Sequence, residues 1–325
     1  MYEMNESDST FRSVFISREN FLHLNEHILH FISMKIINVS SLDYPELHPY
    51  RTLRRPLEHI RQGIFVAEGE KVVRQLISSE LKIISMLMTH EWYTALSPIL
   101  AENNDQDISI YVTDKSTAES IVGYNLHQGI MAVAHVPEER GLEEIIRGII
   151  HPHLLVAIEG LVNAENVGVV VRNCAAFGVD AILVGELSSS PYLRRAVRNS
   201  MGTVFKLPVV HCHNLIESIA MLQNNFNTKI IAAHPHENQS VATADFSGNV
   251  CVVFGNEGDG ITQSVLDACD QSAAIPMMNE TDSLNVASAS AVFLYEARKQ
   301  RENLAKRKTT SQDLHQSSEL NELAV

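Results

Sequence analysis

Residues 252–262 read VVFGNEGDGIT. A short β-branched and aromatic run enters a turn with glycines at 255, 258 and 260, and TQSVLDAC then continues with a helical period. That succession is a strand, a turn and a helix, the building unit of an α/β fold. The glycine spacing is neither GxGxxG nor GxxxxGK[ST], which disfavours cofactors gripped by a pyrophosphate. Glycines after a strand let a backbone approach a ligand closely, and Glu257 is placed to accept a hydrogen bond or orient a cation. A tight turn capping a helix that begins near Thr262 accounts for the same residues equally well.

Outward from this unit, apolar runs alternate with helical patterns over residues 150–303. LLVAIEG, DAILVG, VFKLPVV, KIIAAH, VCVVF and AAIPM carry the strand pattern, and helices are predicted around 169–177, 193–199, NLIESIAMLQ, TQSVLDAC and 285–303. Short apolar strands separated by helices imply a mostly parallel sheet covered on both faces, with ligands at the carboxyl ends of its strands. Upstream, residues 34–137 form a smaller α/β unit: GIFVAEG, IISMLMT, IYVT and GIMAVAHV read as strands and KVVRQLIS as a helix. PEERG closes it, and LEEIIRGII leads into the larger region. Residues 1–33 show no sustained period and are expected to be a disordered extension; 304–325 are polar and are expected to be a disordered tail.

The chain has 325 residues, 45% of them hydrophobic and 20% charged, which is ordinary for a globular protein. Without an apolar run of roughly 18 residues or a secretory start, it is expected to be cytoplasmic and free of the membrane. The four cysteines show no CxxC pair or metal-ligand spacing and read as reduced core thiols. A formal net charge of −14 argues against non-specific coating of nucleic acid but leaves room for a local basic groove. Two segments offer one: RTLRRPLEHIR, with Arg51, Arg54, Arg55 and Arg61, and LRRAVRNS, with Arg195 and Arg198. A solvated charged surface is the plainer reading of each.

Two further motifs sit at strand ends. Residues 160–178, GLVNAENVGVVVRNCAAFG, place Asn166 at a helix start, where it is suited to cap backbone N–H groups. Arg172 follows six residues later, nearly two turns on and broadly near the same face, in a run otherwise built for a core. Residues 274–300, AIPMMNETDSLNVASASAVFLYEARKQ, put Ser283 and Asn285 before a helix whose first turns are nearly all small. Small residues let another segment come close, so this helix should pack centrally or at a subunit contact, with Ser283 as its N-cap.

In this order and at these spacings, NVGVVVRNCAAFG, FGNEGDGI and IPMMNETDSLNVASASA resemble the three signature motifs of the SpoU (TrmH-type) branch of the SPOUT RNA methyltransferases, over residues 153 to 300. FVAEGEKVVRQLI and GYNLHQGIMAVA are similar to the family's ribosomal-protein-like substrate-binding domain. The resemblance implies an α/β fold with a C-terminal trefoil knot and S-adenosylmethionine as cofactor. It also implies methylation of a ribose 2′-hydroxyl in tRNA or rRNA, without a metal, by a homodimer with a shared site. Arg172 matches the catalytic arginine, with Asn166, Glu257, Ser283 and Asn285 completing the network; Gly255, Ile275, Met277 and Leu284 would contact the cofactor. The rival reading is a catalytically inactive RNA-binding protein that retains the fold. It predicts erosion at Arg172, Glu257, Ser283 or Asn285, and all four are present.

Overall fold

A computed structural model describes residues 34–41, 44–102, 107–123, 128–235, 237, 239–279 and 283–322; the predicted extension, 1–33, lies outside them. The first module runs through β1 (Lys35–Asn38), α1 (His48–Arg51), α2 (Pro56–Arg61), β2 (Ile64–Glu68), α3 (Glu70–Ile77), β3 (Ile83–Thr89), α4 (His90–Glu102), β4 (Ser109–Thr113), α5 (Lys115–Val122) and β5 (Ile130–His135). Its sheet has the order β1-β4-β3-β5-β2, parallel among the first three and antiparallel at β5. In α3 the residues Val72, Val73, Leu76 and Ile77 recur at helical spacing, and all four are buried. The Asp114 carboxylate accepts from the Thr117 N–H at 2.9 Å to start α5, and Gly123, at φ 75°, ends it.

The second module contains α6 (Leu142–Arg147), β6 (Leu154–Ile158), α7 (Ala164–Phe177), β7 (Ala181–Val184), α8 (Arg194–Asn199), β8 (Val209–His211) and α9 (Leu215–Phe226), then β9 (Lys229–Ala233), β10 (Val250–Phe254), α10 (Gln263–Ala268), β11 (Gln271–Ala273) and α11 (Val286–Glu322). Its sheet is entirely parallel, in the order β11-β9-β10-β6-β7-β8. All residues of β6 and β10 are buried, as strands sandwiched between helices must be. From β6 the chain builds outward through β7 and β8, then crosses to the other side to lay down β9 and β10. The strand order therefore reverses between β6 and β10, where Phe254 pairs with Ile158, and such a switch point opens a crevice at the strand ends.

At the opposite, amino-terminal end of these strands, the buried His153 pairs its Nε2 with Thr228 Oγ1 at 2.8 Å, and burial pushes its imidazole down to about 4. Arg301, on α11, donates to the carbonyls of Pro152, His153 and Gly248. The last helix is thereby fastened to the starts of β6 and β10.

Several elements differ from the sequence reading. Helix α6 buries Leu142, Ile145 and Ile146 against Leu155 and Ala157 and so belongs to the second sheet. Helix α7 starts at Ala164 because Asn163, not Asn166, is its N-cap, accepting from the Glu165 N–H at 2.9 Å. The strand expected at AAIPM lies instead at Gln271–Ala273 and shares only Ala273 with it, which leaves Ile275 and Met277 in the loop that follows. Residues from 304 to 322, expected as a disordered tail, continue α11; the stretch contains no glycine or proline to stop a helix. Strand β1 and helices α1, α2, α4 and α5 were not expected from the sequence.

Candidate active site

Three loops meet at the β6/β10 switch point. Gly255 follows β10 directly, and a Cβ there would lie 2.4 Å from the Gly260 carbonyl carbon and 2.5 Å from the Ile261 nitrogen. Only glycine allows the loop to fold back so tightly. Asn256 and Gly260 exchange backbone hydrogen bonds of 2.9 and 3.1 Å, closing the turn. The Asn256 side chain accepts from the N–H groups of Gly258 and Asp259 and donates to the Gly160 carbonyl at 2.7 Å. Glu159, at the end of β6, accepts from both the N–H and the hydroxyl of Thr262, at 2.9 and 2.6 Å. Glu159 thus supplies the cap of α10 that Thr262 does not make for itself.

This braced loop presents Glu257. Asn166 Nδ2 donates to Glu257 Oε1 at 2.7 Å, and Asn285 Nδ2 approaches Asn166 Oδ1 at 3.4 Å. Asn285 also accepts from the Ala287 N–H at 2.9 Å, so it, rather than Ser283, caps α11. One polar chain therefore joins the three motifs. The small residues of α11 let it settle on α7, where Asn173 donates to the Ala287 carbonyl and to Ser290 Oγ at 2.8 and 2.9 Å.

Beside this chain lies a cavity of about 300 Å³, at the lower end of the range for ligand pockets. Gly255, Glu257, Ile275, Met277, Ser283, Leu284 and Asn285 all line it, together with Phe254 and Phe293. The two phenylalanine rings meet edge to face at 5.7 Å and form its floor.

Arg172 is not in that lining. It is exposed, and its side chain makes no hydrogen bond or ion pair among the described residues. The sequence reading placed it near the face of Asn166, but six residues at about 100° each leave the two about 120° apart. That rotation points Asn166 at Glu257 and Arg172 at solvent.

The two predicted basic clusters differ in their surroundings. Arg51, Arg54, Arg55 and Arg61 are all exposed on the first module; Arg51 donates to the Tyr44 carbonyl, and Arg55 lies 3.8 Å from Glu58. In the second cluster, Arg195 lies 3.8 Å from Glu165 and Arg198 lies 3.6 Å from Glu68, so both cations already have acidic neighbours. Asn173, Glu159, Asn256 and Glu68 were not singled out in the sequence. A polar residue directly after a buried strand was the available signal for Glu159 and, one residue past Gly255, for Asn256.

A parallel α/β sheet with a cavity at its switch point, preceded by a separate mixed-sheet module, is the architecture of a two-module enzyme. Residues 153–295 match the SpoU rRNA Methylase family, and residues 66–140 match the RNA 2′-O ribose methyltransferase substrate-binding family. The 23S rRNA (guanosine-2′-O-)-methyltransferase RlmB of Acinetobacter baylyi is 30% identical over 198 residues, covering 60% of this chain and 79% of that protein. An uncharacterized tRNA/rRNA methyltransferase of Mycobacterium bovis is 28% identical over 272 residues, 81% of this chain and 92% of that one. The crystal structure of an AdoMet-bound rRNA methyltransferase from Sinorhizobium meliloti shares the fold, with a TM-score of 0.69 at 23% identity over 81% of this chain and 98% of that one. The chain belongs to the SpoU rRNA methylase family and carries its substrate-binding module. No helix among the described residues is long and apolar enough to cross a membrane.

Proposed function

We propose that this protein transfers a methyl group from S-adenosylmethionine to a ribose 2′-hydroxyl of ribosomal or transfer RNA. The observation that carries the reading is the Asn285–Asn166–Glu257 chain set against the cavity of Gly255, Ile275, Met277 and Leu284. The lining mixes apolar walls, Phe254, Ile275, Met277 and Leu284, with the polar groups of Asn256, Ser283 and Asn285. That mixture suits a ligand with a flat apolar base and a zwitterionic tail. When bound, S-adenosylmethionine supplies a methyl group already activated by its sulfonium.

The chain's own residues then have to place a poor nucleophile and manage its proton. Among the described residues Glu257 is the one carboxylate lining the cavity, and Asn166 fixes its orientation. Glu257 accepts a hydrogen bond from the ribose hydroxyl and aims its oxygen at the cavity. The Arg172 guanidinium steadies the negative charge that develops on that oxygen. Ser283 and Asn285 hold the rim. Because Arg172 faces away from its own chain's cavity, the reading includes a homodimer in which the partner subunit's Arg172 completes the site. The aromatic contact of Phe177 with Tyr295, a residue 60% exposed, offers an apolar face on α7 and α11 for that association. The exposed arginines Arg51, Arg54, Arg55 and Arg61 give the first module cations for the RNA backbone.

Mapping of ribose methylation across total RNA from cells with and without the protein tests the reading and names the nucleotide. One or a few sites should lose their methyl group when the protein is absent. An unchanged map would leave an RNA-binding protein without this activity.

A further inference from the structure

The two modules meet on α8. Glu68, the last residue of β2, is only 9% exposed; its Oε2 takes Arg194 Nη1 at 2.5 Å, and its Oε1 lies 3.6 Å from Arg198 Nη1. A buried carboxylate is costly to strip of its guanidinium partners, which ties β2 to α8 in one arrangement. On the same strand, Phe65 packs against Phe205 and Tyr192 with ring centroids 5.4 and 5.5 Å away. Just past α8, Gly202 has φ 80°, and a Cβ there would stand 2.9 Å from Gln75 Cβ on α3. One side of the α8 segment is thus locked to the substrate-binding module.

Another side of α8 lies against α7. A Cβ at Gly168 would stand 2.4 Å from the Ala196 carbonyl oxygen and 2.8 Å from Asn199 Cβ, so the two helices touch through their backbones. Arg195 reaches Glu165 in the first turn of α7. Asn166, which aims Glu257, sits two residues before Gly168. From Glu68 to the catalytic network the path is one of direct contacts, with no flexible linker between.

Modules within one chain ordinarily move relative to each other unless their interface is extensive and apolar. Here an apolar cluster and a buried ion pair act together. We propose that Glu68 is a positioning residue: through Arg194 and α8 it sets the distance and angle at which RNA held by the first module meets the site on α7. The substrate-binding module is then a fixed gauge and not a tether. This rests on the reading of the site as a ribose methyltransferase, in which a misplacement of about 1 Å can cost about 100-fold in rate.

The test uses the full chain and ribosomal RNA isolated from cells that lack the protein. Glu68→Gln should lower kcat at least about tenfold, while the dissociation constants for RNA and for S-adenosylmethionine stay within about twofold. Glu68→Asp, a gentler change that keeps the charge, should show the same split with a smaller loss, and the exchange Glu68→Arg with Arg194→Glu should recover part of kcat. Spin labels at Leu57→Cys and Leu187→Cys, in a Cys269→Ser background, should give one narrow distance that broadens with Glu68→Gln. An unchanged kcat, a parallel loss of both affinities, or a distance distribution that Glu68→Gln leaves narrow would overturn the proposal. If the unaltered protein transfers no methyl group to this RNA, the enzymatic reading fails while the label distances still decide whether Glu68 fixes the modules.

Discussion

Asn166 holds Glu257 at 2.7 Å across 91 positions of the chain, joining the first turn of α7, the helix that follows β6, to the turn after β10. Their strands are neighbours, so the hydrogen bond is as short-range in space as it is long-range in sequence. The site is a product of the switch in strand order.

If that bond aims the carboxylate, Asn166→Ala and Glu257→Gln should each lower kcat by about 100-fold. Neither side chain is buried, so melting should shift by no more than about 0.5 kcal/mol in stability. The double variant should be little worse than the poorer single one, because the two residues act as a unit. Steady-state kinetics on the mapped RNA, with thermal melts in parallel, checks all three.

Arg172 leads to a different experiment, since it faces away from the cavity of its own chain. Arg172→Ala should cost about 100-fold or more in kcat and leave S-adenosylmethionine binding, measured by calorimetry, unchanged. Mixing Arg172→Ala protein with Glu257→Gln protein should restore activity that neither has alone. Failure of the mixture to recover would place the arginine in its own subunit's site.

The two tight glycines should fail in different ways. Gly168→Ala pushes a methyl group into the backbone of α8 and should cost about 1–3 kcal/mol of stability or more, seen as a lower melting temperature. Gly255→Ala strains the turn that lines the cavity and should act first on S-adenosylmethionine affinity.

Acid should loosen the amino-terminal end of the second sheet. Burial holds the His153 imidazole at about 4, below its ordinary 6.5, so between these values the unfolded chain binds a proton that the native state refuses. The stabilisation is complete above about pH 6.5 and is lost as pH falls toward 4, by at most about 1.4 kcal/mol per pH unit. Melting curves over that range should be flatter for His153→Gln, which keeps a partner for Thr228.

Much of the fold was legible because its signals are local. The β10 strand, its glycines and α10 lie within a few residues of each other, and period and turn chemistry report on that range. Gly255, Ile275, Met277 and Leu284 were marked as one site by resemblance, and the structure brings them into one cavity. What escaped was relational. Asn166 reads as the cap of α7, and only the structure shows Asn163 taking the Glu165 N–H while Asn166 turns to Glu257. Arg198 looks like a free cation until Glu68, from the other module, is placed beside it. Residues 304–322 contain no apolar stripe, yet nothing in them interrupts the helix already running.

The position of β10 also dictates when this protein becomes whole during its synthesis. It lies between β6 and β9, the first of which leaves the ribosome nearly a hundred residues earlier, and Arg301 fastens α11 to the starts of β6 and β10. A nascent chain shorter than that has a half-built sheet with two strands waiting for their centre, a slow, long-range closure. The cavity cannot form until its last wall has emerged, so an unfinished copy has no means of holding a cofactor it cannot yet use.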